Sequence, residues 1–403
     1  MAPEPMRVLH ALPVWAPAWQ YGGPVRSVGR LCQALAARGV TVEVVTTTAG
    51  LPDWPAAATG VPLQRDGLTV TYYPVDRAAG PIRSRALLEA LPLHLVRNQL
   101  LHLSAVWQPL GPALQRAAQR AGLPVIHSLR GALGPYSLSR GWWKKLPYYW
   151  LVERPCLRRA AALQVTSARE RRECGNPLLG LGSAPPLWLL PNPLEPEAFG
   201  SDPDQGLAWR AAHGISAQEP LLLVCGRHHH KKGLDLLGPV LAALAPWPWR
   251  LALVGPDEDG SAAVLQQQLI RAGLGERLLP LPLQSAADLP QLFNAANLLL
   301  MPSRHENFGN VALEALACGC GVLLSEGVGV GEELAQVLAG QPWGAVLPRR
   351  AEVWRHWLAA WLGQWLNQPG GLHPRVDPAA LGAQYGASAV AAACENFYRS
   401  LLR

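Results

Sequence analysis

The chain has 403 residues, of which 49% are hydrophobic and only 16% charged, a balance that fills buried cores and excludes long disorder. At this length one hydrophobic core gives way to about two domains. The net charge of +7 is uneven: residues 1–200 carry 21 Lys and Arg against 11 Asp and Glu, and the remainder carries 14 against 17. A basic first half suits an anionic partner such as a membrane surface, a phosphorylated lipid or nucleic acid, or serves solubility alone. Seven scattered cysteines, Cys32, Cys156, Cys174, Cys225, Cys318, Cys320 and Cys394, show neither a disulfide framework nor a CxxC zinc pair. No charged-then-apolar leader opens the sequence and no apolar run reaches bilayer length, so a reduced, cytoplasmic compartment is expected.

In chain order, short β-like runs alternate with helix-length segments, the rhythm of doubly wound α/β domains. The first half offers strands at 6–12, 42–47, 68–73, 100–106, 124–129 and 161–167. After the Pro- and Asp-rich stretch 192–206 the rhythm restarts at 220–226, 250–255, 297–303 and 321–326. Two successive α/β domains joined near residue 195 follow: 1–195, and 196 onward.

Each half opens with a strand, a Gly-containing loop and a helix. In the first, Gly22 and Gly23 allow close backbone approach, Pro24 suits a first helical turn, and Val28, Leu31 and Leu35 make an apolar stripe ending at Gly39. The helix start can aim amides at a phosphate or can close an ordinary turn. The GxGxxG dinucleotide fingerprint is absent, which disfavours a nicotinamide oxidoreductase. In the second half, Arg227 follows a strand ending at Gly226, and Lys232 with Gly233 precedes the next helix; two cations there suit a diphosphate. His228, His229 and His230 suggest a metal, but consecutive side chains diverge, so a solvated loop is expected and no metal site is assigned.

The segment SRHENFGNVALEALACG, residues 303–319, reads as a loop at a strand's carboxyl end followed by a helix. Val311, Ala312, Leu313, Ala315 and Leu316 face inward. Gly309 permits a tight entry, and the amides around Gly309 to Val311 can hold an anion. Glu306 then stands before the helix and Glu314 about one turn inside it. Carboxylates accept hydrogen bonds from sugar hydroxyls, so the pair fits the two sugars of a nucleotide diphospho-sugar, with Arg227 and Lys232 between them.

With these residues in place, the chain resembles the GT-B glycosyltransferases, specifically the retaining glycosyltransferase family 4. The resemblance rests on Gly22-Gly23, on Arg227 with Lys232 and Gly233, and on the E-x7-E pattern from Glu306 to Glu314. TSARE at 166–170, LPNP at 190–193 and LVGPDEDG at 253–260 are weaker matches. It implies two Rossmann-like domains facing a cleft, the first built from 1–195 plus about 380–403 and receiving the acceptor. The second, 196–379, would hold the donor, and a C-terminal helix would cross back to the first. By position, Arg227 and Lys232 would contact the diphosphate, Glu314 the ribose, and Glu306 with Phe308, Gly309 and Asn310 the transferred sugar. Gly22 and Gly23 would lie at the donor. The implied chemistry is metal-independent, without a cofactor, from a UDP- or GDP-linked sugar, with retention at the anomeric carbon.

The family's usual histidine after the strand at 124–129 is replaced by Arg130-Gly131, with His127 three residues earlier; either residue is a candidate donor contact, and relatives carrying Arg-Gly favour Arg130 and leave His127 a structural role. Two DxD strings, Asp202-Pro-Asp204 and Asp257-Glu-Asp259, are discounted as metal motifs. The segment 137–159 interleaves Trp142, Trp143, Tyr148, Tyr149 and Trp150 with Arg140, Lys144, Lys145, Arg154, Arg158 and Arg159. It reads as an interfacial contact for anionic lipid or as a helix packing its aromatics on the core with its cations in water. Nucleic-acid binding fits poorly, because no known module accompanies the aromatics. The expected function is a sugar transferase acting on a polysaccharide, lipopolysaccharide or lipid-linked acceptor; a nucleotide-sugar epimerase and a noncatalytic sugar-binding subunit are the alternatives.

Overall fold

The computed structural model describes residues 5–77, 79–139, 141–182, 185–195, 198–367 and 377–403. The chain divides into two compact units, Met1–Pro193 with Gln384–Arg403, and Leu194–Ala383.

The first unit is built on eight strands: β1 (Arg7–Ala11), β2 (Thr41–Thr47), β3 (Pro62–Arg65), β4 (Leu68–Tyr73), β5 (Leu100–Leu103), β6 (Val125–Ser128), β7 (Ala162–Val165) and β8 (Leu187–Leu189). Their spatial order is β3-β4-β2-β1-β5-β6-β7-β8, parallel throughout except for the antiparallel β3–β4 pair. The second unit holds β9 (Leu221–Cys225), β10 (Arg250–Val254), β11 (Leu278–Leu281), β12 (Leu298–Met301), β13 (Gly321–Ser325) and β14 (Gly344–Leu347). All are parallel in the order β11-β10-β9-β12-β13-β14. Near-continuous apolar runs such as Leu221–Val224 suit strands covered by helices on both faces. Alternation then splits the first core in two: Val8, Leu100 and Ile126 pack on one side of the sheet, and Leu9, Leu101 and Val125 on the other.

The ten strands expected from apolar runs are present. Four others, β3, β8, β11 and β14, do not follow from those runs, and all four are edge strands. The stretch 192–206 is also less of a linker than its composition implies, because a helix, Pro203–Ala212, begins inside it. Asp202 caps that helix by accepting from the Gln205 amide at 3.0 Å.

The C-terminal helix Ala387–Leu401 belongs to the first unit, where Val390, Ala391, Cys394 and Tyr398 share a core with Val28, Leu31 and Leu35 of the helix Gly23–Ala37. It is fastened by polar contacts as well. His102 Nδ1 meets Tyr398 Oη at 2.5 Å, and His102 Nε2 meets Ser128 Oγ at 2.7 Å and Gln164 Oε1 at 3.0 Å. Burial keeps the His102 imidazole well below its ordinary pKa and hence neutral. Arg38 reaches Glu395 at 2.9 Å from the first helix.

In each sheet the winding reverses once, between β1 and β5 in the first unit and between β9 and β12 in the second. Loops diverge at such points, leaving a crevice outside the strands' carboxyl ends.

Candidate functional site

In the second unit the loops leaving β9, β10, β12 and β13 meet at the carboxyl edge of the sheet, on either side of that reversal. The backbone leaving β9 is woven to the loop after β10: the His228 amide donates to Pro256 at 2.8 Å and the Glu258 amide to His228 at 2.9 Å. The loop after β12 is held to the loop after β13, with the Glu306 amide donating to Gly327 at 2.8 Å and the Gly329 amide to Glu306 at 2.9 Å. The Arg304 amide donates to Lys231 at 2.7 Å, closing the gap between the two halves. Residues far apart in sequence are thereby fixed with respect to one another by main chain.

On this frame Lys232 and Glu306 form an ion pair bridging the loops after β9 and β12. Burial alone would raise the Glu306 carboxyl, but Lys232, with Lys231 and His305 nearby, holds it below the usual carboxylate range. Arg227 pairs with Glu258 at 2.9 Å and is more exposed. Gly233 follows Lys232 with φ +70°, and a Cβ there would collide with the Pro302 carbonyl oxygen at the end of β12. Only glycine satisfies both the left-handed backbone and that close approach.

Gly309, at φ +98°, ends the loop after β12 and opens the helix Asn310–Ala317 with no side-chain cap. Phe308 is buried, its carbonyl accepting from the Val330 amide at 2.8 Å. Ala312, Leu313, Ala315 and Leu316 are buried as expected. Glu314 is also buried, one turn into the helix, and burial together with its charge pushes the Cys318 thiol up to about 12. The structure therefore brings Arg227, Lys232, Glu306 and the Phe308–Asn310 turn to one edge of one sheet, with Glu314 just behind.

The histidine run departs from the sequence reading. A carboxylate absent from the local sequence is supplied by the loop after β10: Asp259 Oδ2 lies 3.3 Å from His230 Nδ1 and 3.7 Å from His229 Nε2. These three are the one group among the described residues whose donor atoms cluster closely enough for a metal. Their present geometry is that of a hydrogen-bonded turn. Asp259 accepts from the His230 amide at 2.8 Å and from the Ser261 amide at 3.2 Å, while His229 Nδ1 accepts from the Lys231 amide at 3.3 Å. His228 is buried, not solvated, and burial lowers its pKa. Asp257 accepts from the Gly260 and Ala263 amides, both at 3.0 Å, and so shapes the turn into the following helix.

The first unit holds a cavity of about 230 Å³ at the carboxyl edge of β1, β5 and β6, lined by Leu12, Tyr21, Pro24, Ser104, Ser128 and Arg130 among others. Gly22, at φ +81°, caps the helix Gly23–Ala37 and delivers Tyr21 and Pro24 to its rim. Arg130 occupies a left-handed conformation, φ +49°, held by its surroundings. Its Nη1 donates to Ser27 Oγ at 3.0 Å and to Asn192 Oδ1 at 3.3 Å. Burial brings its guanidinium down to about 10, leaving it charged at neutral pH.

His127, the other candidate for that place, lies on the opposite face of β6. It is fully buried, neither ring nitrogen has a hydrogen-bond partner, and burial lowers its pKa to about 4. It has no exposed surface, which agrees with the structural one of its two readings, a neutral core histidine.

Two braces of this site escaped the sequence reading. Glu170 is buried and accepts from the Gly131 amide, from the Thr166 amide at 2.7 Å and from Thr166 Oγ at 2.7 Å. It pins the Arg130-Gly131 turn against the end of β7. The S-x-x-E spacing of a capping box was its visible signal: Ser167 accepts from the Glu170 amide at 3.2 Å, but the carboxylate reaches across to another loop. Asn192 of the LPNP string holds the Arg130 guanidinium, a role that no local pattern foretells.

Two family models match the chain: a glycosyl transferase 4-like domain over residues 22–193 and the glycosyl transferases group 1 over 207–339. D-inositol 3-phosphate glycosyltransferase of Mycobacteroides abscessus is 28% identical over 343 residues, covering 79% of this chain and 72% of that protein. Among solved structures, sucrose-phosphate synthase from Thermosynechococcus elongatus superposes with a TM-score of 0.71 at 22% identity, covering 98% of this chain and 99% of the other. Anabaena HepE in complex with UDP-glucose gives 0.71 at 17% identity, over 98% and 100%. Two parallel-sheet α/β units, matched in succession by the two models, are the GT-B architecture, and the chain belongs to glycosyltransferase family 4, the group 1 transferases.

Proposed function

We propose that the protein transfers a sugar from a nucleotide diphospho-sugar to a glycan or lipid-linked hydroxyl, with retention and without a metal. The observation that carries this reading is the Lys232–Glu306 pair spanning the sheet's winding reversal, with Arg227 beside it and Glu314 one helical turn behind. In the proposed mechanism Arg227 and Lys232 exchange a carboxylate partner for oxygens of the diphosphate and stabilise its departing charge. Glu306 and the Phe308–Asn310 turn orient the transferred sugar, and Glu314 receives the ribose hydroxyls. The acceptor hydroxyl attacks on the face the diphosphate vacates. HepE is described with UDP-glucose, which supports a uridine donor. The Mycobacteroides relative bears the name of an inositol phosphate glycosyltransferase, which supports testing a phosphorylated polyol beside lipid-linked glycans as acceptor.

Calorimetric titration of UDP, GDP and ADP in EDTA into wild type and Glu314→Ala tests the donor site. Selective binding of one nucleotide, weakened about tenfold or more by losing a carboxylate–hydroxyl contact, is expected. Binding of none of them, or equal binding by the variant, would overturn the residue assignment. Turnover of the matching donor without acceptor, to an epimer, would replace transferase by epimerase.

A further inference from the structure

The segment from Trp142 to Leu157 is helical, a helix Trp142–Tyr148 running through a π-helical turn, Tyr149–Glu153, into a last turn, Arg154–Leu157. Its inner side is fixed to the first unit. Tyr149 is buried with its hydroxyl donating to the Leu179 carbonyl at 2.8 Å, and Cys156 and Leu157 are buried. Had the aromatics packed on the core, the outer side would be polar. Instead Trp142 is 60% exposed, Trp143 62%, Trp150 46% and Leu151 78%. Leu146, between Trp142 and Trp150 at four-residue spacing, is exposed too, and Leu178 joins them from the loop at 177–180, where Gly180 lies against Trp150 and Arg154. A contiguous exposed apolar patch of this kind is uncommon on a protein that has nothing to place against it.

The charge around the patch has one sign. Lys144 Nζ sits 4.5 Å from the Trp143 ring centre and Arg154 Cζ 4.7 Å from that of Trp150, and Arg158 and Arg159 are exposed at the end of the segment. No Asp or Glu occurs between Glu89 and Glu153, nor between Glu173 and Glu195. Glu153 itself is turned inward, accepting from the Trp107 amide at 2.9 Å. Arg140 lies outside the described residues. Tryptophans flanked by cations, with no exposed carboxylate on the segment, match the boundary of an anionic bilayer, where indole rings sit at headgroup depth and each cation gains from the surface potential. A protein partner would gain nothing from so complete an exclusion of carboxylates unless it too were strongly acidic.

We infer that the surface formed by residues 142–159 with Leu178 is a peripheral docking face for anionic lipid, seating the first unit on a membrane. The inference stands independently of the donor-site assignment.

The test is co-sedimentation of the full chain with vesicles of phosphatidylcholine alone and of equimolar phosphatidylcholine and phosphatidylglycerol. Wild type should pellet with the anionic vesicles only, and Lys144→Ser with Arg158→Ser should lower partitioning about fivefold per cation removed. Trp142→Ser with Trp143→Ser should abolish it with the melting temperature unchanged, because both rings are in solvent. Failure of wild type to pellet with anionic vesicles, equal pelleting with neutral ones, or full retention by the tryptophan variant would each overturn the inference. So would light scattering that shows a dimer dissolved by the same tryptophan substitutions, since the patch would then face a second copy.

Discussion

Lys232 and Glu306 meet although 73 residues separate them, and each was singled out in sequence by residue type and position after a strand. What the sequence withheld was that they face one another, so that the cation is already neutralised before a ligand arrives. A second residue-scale feature was wholly invisible: Glu153 is a buried carboxylate, whose pKa burial raises from 4.5 to about 7 despite the hydrogen bond from the Trp107 amide. Between those values the folded chain retains a proton that the unfolded chain has released, so this group's contribution falls as pH rises from 4.5 to about 7. The loss is at most about 3 kcal/mol. Glu153→Gln keeps an acceptor for the Trp107 amide and cannot ionise. Thermal melts should show the variant overtaking wild type in stability as the buffer goes from about pH 5 to about pH 8; parallel melting curves for the two chains would contradict the buried-carboxylate account.

Elements were legible wherever an apolar run made a strand covered on both faces. β9, β10, β12 and β13, which carry the second site, are of this kind, since LLLV or LALV has few other stable fates beside a helix-length neighbour. β3, β8, β11 and β14 were not, because these edge strands are short and half-exposed, and Pro62 and Pro280 sit within two of them. The turn after β9 is the element on which the proposed donor site most depends. Gly233→Ala imposes a left-handed alanine and drives its methyl into the Pro302 carbonyl, a cost of about 3 kcal/mol. A melting temperature lowered by several degrees is expected, together with nucleotide affinity reduced about tenfold or more as Lys232 is displaced. Unchanged affinity in a destabilised variant would show that the position of Lys232 does not govern binding.

At the scale of the whole molecule, the charge asymmetry is sharper by unit than by sequence half. The first unit carries 23 Lys and Arg against 10 Asp and Glu, and the second 12 against 18. Cations in the second unit are engaged locally by carboxylates, as Lys232 and Arg227 are, whereas the acid-free stretch of the first unit leaves a uniform field. The two binding events should therefore part company with salt. Raising NaCl from about 50 to about 300 mM should weaken association with anionic vesicles by more than about tenfold, while the UDP dissociation constant moves by less than about threefold. Equal salt sensitivity of both would assign the basic field to the nucleotide site. Among the described residues no helix is long and apolar enough to cross a membrane.

By itself the sequence determined the two α/β units, the family, and the residues at the carboxyl edge of the second sheet, because apolar runs, strand-terminal glycines and paired carboxylates are local or evenly spaced signals. Only the tertiary structure decided the fate of side chains whose neighbours come from distant loops. Alternation along β6 turned His127 into the core, and the left-handed turn after the strand left Arg130 at the cavity, with Glu170 and Asn192 as its braces. Asp259 arrived beside His229 and His230 from another loop, and the tryptophans of residues 142–150 were left in solvent. Each outcome depends on which face of an element is covered and by what, and that is fixed by packing across the chain, beyond the reach of any pattern of neighbouring residues.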